Sequence, residues 1–218
     1  MNFVRWFWVL AISLLVGTLG WVGLCSHNTR TRATSFLSDL AHLQPGTSDK
    51  EAAANLAKRH GGVVTSKLCD ASSCEYWFFF ENTMLARLKL APNTKLTTYV
   101  RVEDGKLSFV NLNYWLGQQA WIVVNESSCS TCQDLPSAEL DLRRDGDGKA
   151  QRAVVTLKPE SAPDLRHRAL QLNANCLSKV GGCSDASELA PELWRLESAK
   201  PPVSSHRHTG SQRDPAGN

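Results

Sequence analysis

The chain has 218 residues, a formal net charge of +3, and a composition of 42% hydrophobic and 21% charged residues. These values are ordinary for a globular protein and exclude a collagen-like, a wholly disordered or a coiled-coil chain. The small net charge and the absence of long Lys/Arg runs give no indication of a nucleic-acid partner, so none is predicted.

An apolar segment near the N-terminus is long enough to cross a membrane. Trp6–Leu24 is nineteen residues without a charge, and a helix of that length spans roughly 28 Å, close to the hydrocarbon thickness of a bilayer. Tryptophans near both ends suit the two interfaces. We therefore predict a cytoplasmic N-terminus over 1–5 and a transmembrane signal-anchor over 6–25, with the lipid bilayer as a partner. Cleavage as a signal peptide and lipidation at Cys25 are the alternatives.

The cysteines decide on which side of the membrane the rest of the chain lies, because the positive charges flanking the anchor nearly balance. An even number of cysteines in close couples is typical of disulfides and of an oxidising compartment. The folded domain is therefore predicted to be extracytoplasmic, which means periplasmic in a Gram-negative cell. Six cysteines allow fifteen connectivities, so local pairing is an interpretation. The three couples are Cys69 with Cys74, Cys129 with Cys132, and Cys176 with Cys183.

The C-x2-C couple has three interpretations. Cys129 and Cys132 can form a structural disulfide or belong to longer bridges. They can form a redox centre, which requires the first cysteine at the start of a helix that follows a strand, and Pro136 disfavours that helix. They can also hold zinc together with Cys69 and Cys74, although export argues against zinc.

The segments before the sheet are predicted to be helical. A polar linker over 26–32 is followed by a short apolar-striped helix within 33–46. A second helix over 51–60 begins at a capping box, in which Ser48 accepts from an amide of the first turn and Glu51 reaches back.

The period then changes to two, which predicts strands. Asp104-Gly105 predicts a two-residue type I′ turn that sets Glu103 opposite Lys106 and Val102 opposite Leu107. A change of phase near Phe109 indicates a bulge or burial on both faces. The predicted strands cover 62–69, 75–82, 84–91, 95–103, 106–116 and 120–125, and a second hairpin joins 138–144 to 150–158.

Helical spacing returns after Pro159 and places four apolar residues on one predicted helix face. Residues 198–218 have almost no large apolar side chain and are predicted to be a disordered tail. The folded domain is thus expected over 33–197, with the fold class α+β: N-terminal helices, an antiparallel sheet of about six to eight strands that could close into a sandwich, and a C-terminal helix. The residues of that last helix face are Leu165, Ala169, Leu172 and Cys176.

One aromatic run is the most unusual local feature. Residues 76–80 read Tyr-Trp-Phe-Phe-Phe, which predicts either a central strand covered on both faces or an apolar groove for a ligand or partner. Trp115 and Trp121 lie around a predicted turn, and the same two interpretations apply to them. Trp77, Phe79, Trp115 and Trp121 are therefore the candidate binding surface.

Two stretches carry a resemblance. C-x6-C over 176–183 followed by Glu-Leu-Ala-Pro-Glu-Leu-Trp over 188–194, and C-x4-C over 69–74 followed by F-x-F-x-N over 78–82, resemble small uncharacterised exported or membrane-anchored bacterial proteins. The resemblance covers most of 35–195. It implies an envelope location and offers no activity to transfer.

The sequence contains none of the common hydrolase, zinc-protease, phosphate-binding or dinucleotide-binding motifs. No cofactor or metal is predicted. We therefore expect a membrane-anchored extracytoplasmic binding domain, braced by disulfides, for an envelope protein or a small ligand. A thiol–disulfide protein acting through Cys129 and Cys132, and an envelope enzyme with a site built from scattered residues, remain the alternatives.

Overall fold

The computed structural model describes residues 2–64, 69, 73–129 and 139–199. The α-helices are α1 (Asn2–Ala41), α2 (Lys50–His60), α3 (Thr83–Arg87), α4 (Pro163–Leu170), α5 (Ala186–Leu189) and α6 (Pro191–Ala199), with a 3₁₀ turn at Ala174–Leu177. The strands are β1 (Val63–Val64), β2 (Ser73–Glu81), β3 (Thr94–Glu103), β4 (Lys106–Leu116), β5 (Gln119–Ser127), β6 (Leu140–Arg144) and β7 (Ala150–Leu157).

The α+β class is confirmed, and the N-terminal apolar segment is continuous with the domain. Helix α1 has 40 residues and would extend about 60 Å. It is the one helix in the described part of the chain that is long and apolar enough to cross a membrane. Its C-terminal half enters the core, where Ala33, Phe36 and Leu40 are buried.

The linker predicted over 26–32 is helical instead. The segment contains neither Gly nor Pro, and the hydroxyls of Thr29 and Thr31 donate to the carbonyls of Cys25 and His27 one turn earlier. These local bonds satisfy the polar side chains within a helix, so the polar composition does not interrupt it. The apolar segment and the domain are therefore joined by one continuous helix.

Helix α2 begins one residue later than the predicted capping box requires. Asp49, not Ser48, is the N-cap, and its carboxylate accepts from the amide of Ala52 at 2.8 Å. The hydroxyl of Ser48 accepts from Gln44 in the preceding turn. Gly61 ends the helix with a left-handed φ of 69°, a conformation that favours glycine.

The seven strands form one sheet in the order β1-β2-β3-β4-β5-β7-β6. All neighbours are antiparallel except β5 and β7, which are parallel, so the expected antiparallel sheet is mixed. The described strands do not form a sandwich. The predicted β6–β7 hairpin is present, but its second strand, rather than its first, pairs with β5.

The hairpin at Asp104-Gly105 is confirmed, with φ of 51° and 74° at the two turn residues. Glu103 lies opposite Lys106 and Val102 opposite Leu107. The pairing shifts between Val102 and Arg101, so that Arg101 lies opposite Phe109. The expected bulge is thus present, and it accounts for the change of phase.

Two further predicted elements differ in the structure. The strand expected over 84–91 is helix α3 and a following turn, because Asn82 caps the amide of Leu85 and the segment consists of good helix formers. The long helix expected after Pro159 ends at Leu170. Leu172 and Cys176 therefore belong to the loop and 3₁₀ turn that follow.

The helices pack against one face of the sheet, here called the inner face, and form a single core with it. Disulfides join Cys69 to Cys74 and Cys176 to Cys183, the two local pairings expected there. Cys129 is also disulfide-bonded, and Cys25 is free. Cys132 lies outside the described residues, and so does the tail expected over 198–218 from residue 200 onward, whereas its first two residues belong to α6.

Candidate binding face

The opposite side of the sheet, the outer face, is not covered by a helix in the described ranges. Strand β2 shows this best, since its side chains alternate between the two faces. Tyr76, Phe78 and Phe80 are buried in the core, while Trp77 and Phe79 are 37% and 58% exposed. The aromatic run is therefore not a strand covered on both faces. The aromatic side chains on one face of β2 pack into the core, and those on the other face are exposed to solvent.

Four aromatic side chains on the outer face form what we call the aromatic platform: Trp77, Phe79, Tyr99 and Phe109. The rings of Trp77 and Phe79 are nearly parallel, at 9°, with centroids 6.2 Å apart. Trp77 also contacts Tyr99, with ring centroids 4.8 Å apart. The ring centroid of Phe109 lies 6.2 Å from that of Tyr99. These contacts across β2, β3 and β4 hold the exposed rings in fixed orientations, as a stacking surface requires.

Within the platform, the ring of Tyr99 is held in place by hydrogen bonds of its hydroxyl. Its hydroxyl donates to the carboxylate of Glu75 and accepts from Nε of Arg101 at 2.6 Å. Burial, reinforced by the hydrogen bond to Glu75, raises the pKa of Tyr99 to about 12. The phenol is therefore neutral at physiological pH and keeps the proton that it donates to Glu75.

Beside the platform, three half-buried asparagines form a chain that we call the amide row. Asn113 donates to Asn111 at 2.5 Å, and Asn111 donates to Asn125 at 2.6 Å. Each amide has two N–H donors and a carbonyl with two lone pairs, so these bonds use only part of their capacity. The remaining donors and acceptors are available to water or to a ligand.

Trp115 and Trp121 lie together at another part of the outer face. With Gln119, Gln151, Arg143 and Arg152 they line a cleft of about 500 Å³, here called the tryptophan cleft. The indole N–H of Trp115 donates to Thr97 at 3.0 Å, and the ammonium group of Lys95 lies 5.0 Å from its ring centroid. Arg143 pairs with Asp141 at 3.0 Å.

The structure brings the four predicted site residues together in two pairs. Trp77 and Phe79 lie on the platform, and Trp115 and Trp121 line the cleft. The amide row was missed by the sequence reasoning. The sequence does contain a signal for it, since Asn111 and Asn113 alternate with apolar residues in β4. Asparagine is common in turns, however, so its presence alone does not indicate a binding site.

A separate cleft of about 340 Å³ lies near the C-terminal end of α1. Its charged pair is Glu126 and Arg166, and the guanidinium of Arg166 also donates to the carbonyls of Ala41 and Leu43. Burial raises the pKa of Glu126, although Arg166 opposes the shift. These contacts give Arg166 a structural role, because it satisfies carbonyls at the end of α1.

Among the described residues, no group of three His, Cys, Asp or Glu side chains is placed to hold a metal ion. Cys129 lies two residues after the end of β5, and its amide donates to the hydroxyl of Ser127 at 3.0 Å. Since 130–138 lie outside the described residues, the redox interpretation of Cys129 and Cys132 stays a prediction.

The chain matches no family model, no curated protein and no solved structure in the comparisons.

Proposed function

We propose that the protein is a membrane-anchored extracytoplasmic binding domain that recognises a glycan through the outer face of its sheet. The observation that carries this proposal is the layout of that face, with hydrogen-bonding amides between two groups of aromatic rings. Protein–protein interfaces usually have the reverse layout, an apolar centre with a polar rim. The polar centre therefore favours a hydroxylated ligand over a protein.

A sugar chain has the two kinds of surface that this layout complements. Its hydroxyl groups can exchange hydrogen bonds with the amide row, whose Asn111 and Asn113 retain spare donors and acceptors. Its apolar C–H faces can lie on flat aromatic rings such as Trp77 and Phe79. Strand β2, which carries the platform, and β5, which carries Trp121, are three strand spacings apart, about 14 Å. This width suits an extended oligosaccharide.

The proposed location is supported by α1 and by the disulfides. A 40-residue helix whose apolar half is exposed is suited to hold the domain at a membrane. Disulfides persist in oxidising compartments and are rare in the cytosol. An extracytoplasmic domain at the cell membrane satisfies both observations.

The binding experiment uses the full chain in lipid nanodiscs. Isothermal titration with chitotetraose, the β-1,4-linked tetramer of N-acetylglucosamine, and with cellotetraose is expected to show saturable binding of at least one. Trp77→Ala removes a ring of the platform and Asn113→Ala removes the end of the amide row. Each is expected to weaken binding at least tenfold, which corresponds to about 1.4 kcal/mol.

The control is Glu160→Ala, which changes an exposed residue in the turn between β7 and α4. Its affinity for the sugar should equal that of the wild-type chain. The glycan proposal is wrong if neither sugar binds, or if Trp77→Ala and Asn113→Ala bind as tightly as the control.

A further inference from the structure

A small apolar surface lies beside the anchor, away from the outer face. It consists of α3, the turn that follows it and the loop around Val180, and we call it the membrane tip. Leu88 is 52% and Val180 is 67% exposed, and Leu90 and Met84 are partly exposed. Apolar side chains this exposed in one place indicate a surface that contacts a membrane or a partner.

The tip lies alongside the apolar half of α1. Asn82, which precedes α3, donates to the hydroxyl of Ser26 at 2.8 Å, just beyond the C-terminal end of the apolar segment. Met84 and Leu88 then share a groove of about 410 Å³ with Leu14 and Gly17. Helix α3 therefore extends from Ser26 back toward the N-terminus of α1.

This position sets the depth of the tip in a bilayer. Leu14 precedes Leu24 by ten residues, which is about 15 Å along the helix axis and roughly half of the apolar span. The groove runs along α1 from Leu14 to Val22, so the side chains that line it lie within the apolar span whenever α1 crosses the membrane. Leu90 and Val180 line a second groove of about 320 Å³ that runs along α1 from Leu19 to Arg30, and so reaches from the apolar span to the polar residues beyond it.

The charges around the tip complement an anionic lipid surface. Arg87 and Lys89 flank Leu88, and neither side chain has a hydrogen-bond or ion-pair partner among the described residues. The sequence contains no Asp or Glu between Asn82 and Val102. Long basic side chains beside buried apolar groups can extend to lipid phosphates.

The tip is a fixed structure. The amide of Leu90 donates to Leu85 and that of Lys89 to Ala86, which closes α3 as a Schellman motif. The amide of Gly181 donates to the carbonyl of Leu90 at 2.7 Å, so the Val180 loop is joined to the turn. The disulfide between Cys176 and Cys183 closes that loop.

Lys89 is in the left-handed region, with φ of 55°. This is the position of a Schellman motif at which glycine is preferred, and a side chain there adds backbone strain. Strain of this kind is often found where a side chain has a function. Lys89 therefore places a charge next to the exposed Leu88, at a position where glycine would cause less backbone strain.

We propose that the membrane tip inserts into the extracytoplasmic leaflet beside α1, with its apolar side chains among the acyl chains and Arg87 and Lys89 at the phosphates of anionic lipids. The occupant of the two grooves is then lipid. This proposal rests on the proposed anchoring by α1, but not on glycan binding. Insertion would fix the tilt of the domain and so the direction in which the outer face points.

The test measures depth in vesicles of phosphatidylcholine and phosphatidylglycerol at 3:1, with the full chain reconstituted. A fluorescent non-canonical amino acid replaces Leu88 in one variant, Val180 in a second, Leu10 in the anchor control and Glu103 in the distal control. Glu103 is at the far end of β3, about 30 Å from Thr94. Quenching by lipids with a doxyl group on the acyl chain reports insertion.

We expect the labels at Leu88, Val180 and Leu10 to be quenched at least twice as strongly as the label at Glu103. Lys89→Gly, in the chain labelled at Leu88, relieves the backbone strain and removes one charge. It should melt no lower than the parent, yet lose at least half of the extra quenching that phosphatidylglycerol adds over pure phosphatidylcholine.

The possible failures are distinct. Quenching at Leu10 without quenching at Leu88 and Val180 overturns the insertion of the tip and leaves the anchor intact. No quenching at Leu10 overturns the anchor as well. Energy transfer between copies labelled at Leu88, without lipid quenching, means that a second chain occupies the grooves, and the lipid proposal is then wrong.

Discussion

Glu188 shows how a single carboxylate stabilises an irregular region. It accepts from Nζ of Lys179 at 2.7 Å and from the amide and hydroxyl of Ser184 at 3.0 Å. The hydrogen bond from Lys179, followed by that from the Ser184 amide, lowers the pKa of Glu188 to about 2. The ionised form is therefore the one that holds the loop beside the Cys176–Cys183 disulfide.

This shift predicts a pH-dependent contribution to stability. The pKa of Glu188 is lower in the folded state than its ordinary value of 4.5, so its contribution is complete above about pH 4.5 and is lost as the pH falls toward 2. Glu188→Gln should lower the free energy of unfolding at pH 6, and the difference from the wild type should shrink steadily toward pH 2. Urea unfolding of the full chain in detergent at pH 6, 4 and 2 measures it.

Two points ensure that the measured difference reports on Glu188 alone. Burial raises the pKa of Glu126, so its contribution has the opposite sign, but it is present in both chains and cancels in the difference. Glu160→Gln changes an exposed carboxylate and serves as the control, with no difference expected at any pH. A deficit of Glu188→Gln that stays constant from pH 6 to pH 2 contradicts the assignment.

At the scale of an element, the close approach of α2 and β2 depends on Gly62. A Cβ at this position would lie 2.7 Å from Cε1 of Phe78 and 2.9 Å from Cβ of Ala57. Phe78 is fully buried, with its ring 4.7 Å from that of Phe36, so it cannot move aside.

Gly62→Ala is therefore expected to destabilise the domain by about 1–3 kcal/mol, the usual cost of overpacking. Gly146→Ala is the matched control, because a Cβ there meets no atom within 4 Å, and its effect should be within about 0.5 kcal/mol. Urea denaturation of both variants gives the comparison. Equal stability of the two would mean that α2 and β2 do not pack as described.

The sequence predicts most elements because local signals determine them. Asp104-Gly105 sets the turn and the first pairs of its hairpin, and Gly61 ends α2. Local signals do not determine the strand order. Whether β7 or β6 pairs with β5 depends on contacts between segments that are distant in the sequence. Alternation of apolar residues over 84–91 suggested a strand, but the cap from Asn82 and helical propensity favoured α3.

The candidate site was predictable in part for the same reason. Trp77 and Phe79 stand out in the sequence as large apolar residues, but sequence alone did not show which face of β2 is covered. The row through Asn111, Asn113 and Asn125 depends on the register of β4 against β5, which places Asn111 opposite Asn125. A site built across strands becomes visible only when that register is known.

At the scale of the whole molecule, α1 determines how the domain is joined to the apolar segment. One uninterrupted helix carries the apolar segment, the residues expected to be a linker and the core residues Phe36 and Leu40. The domain therefore has little freedom to turn relative to the apolar segment. The proposed binding face and the membrane tip both belong to this rigid unit.

The most direct test of the account is a count of free thiols in the full chain, taken from the membranes of a bacterial expression host. Cells are quenched with acid, dissolved in SDS and treated with a maleimide-polyethylene glycol, with and without prior reduction. An extracytoplasmic, disulfide-braced domain predicts one reactive thiol, Cys25, before reduction and seven afterwards. Seven reactive thiols without reductant would place the domain in a reducing compartment and contradict the account.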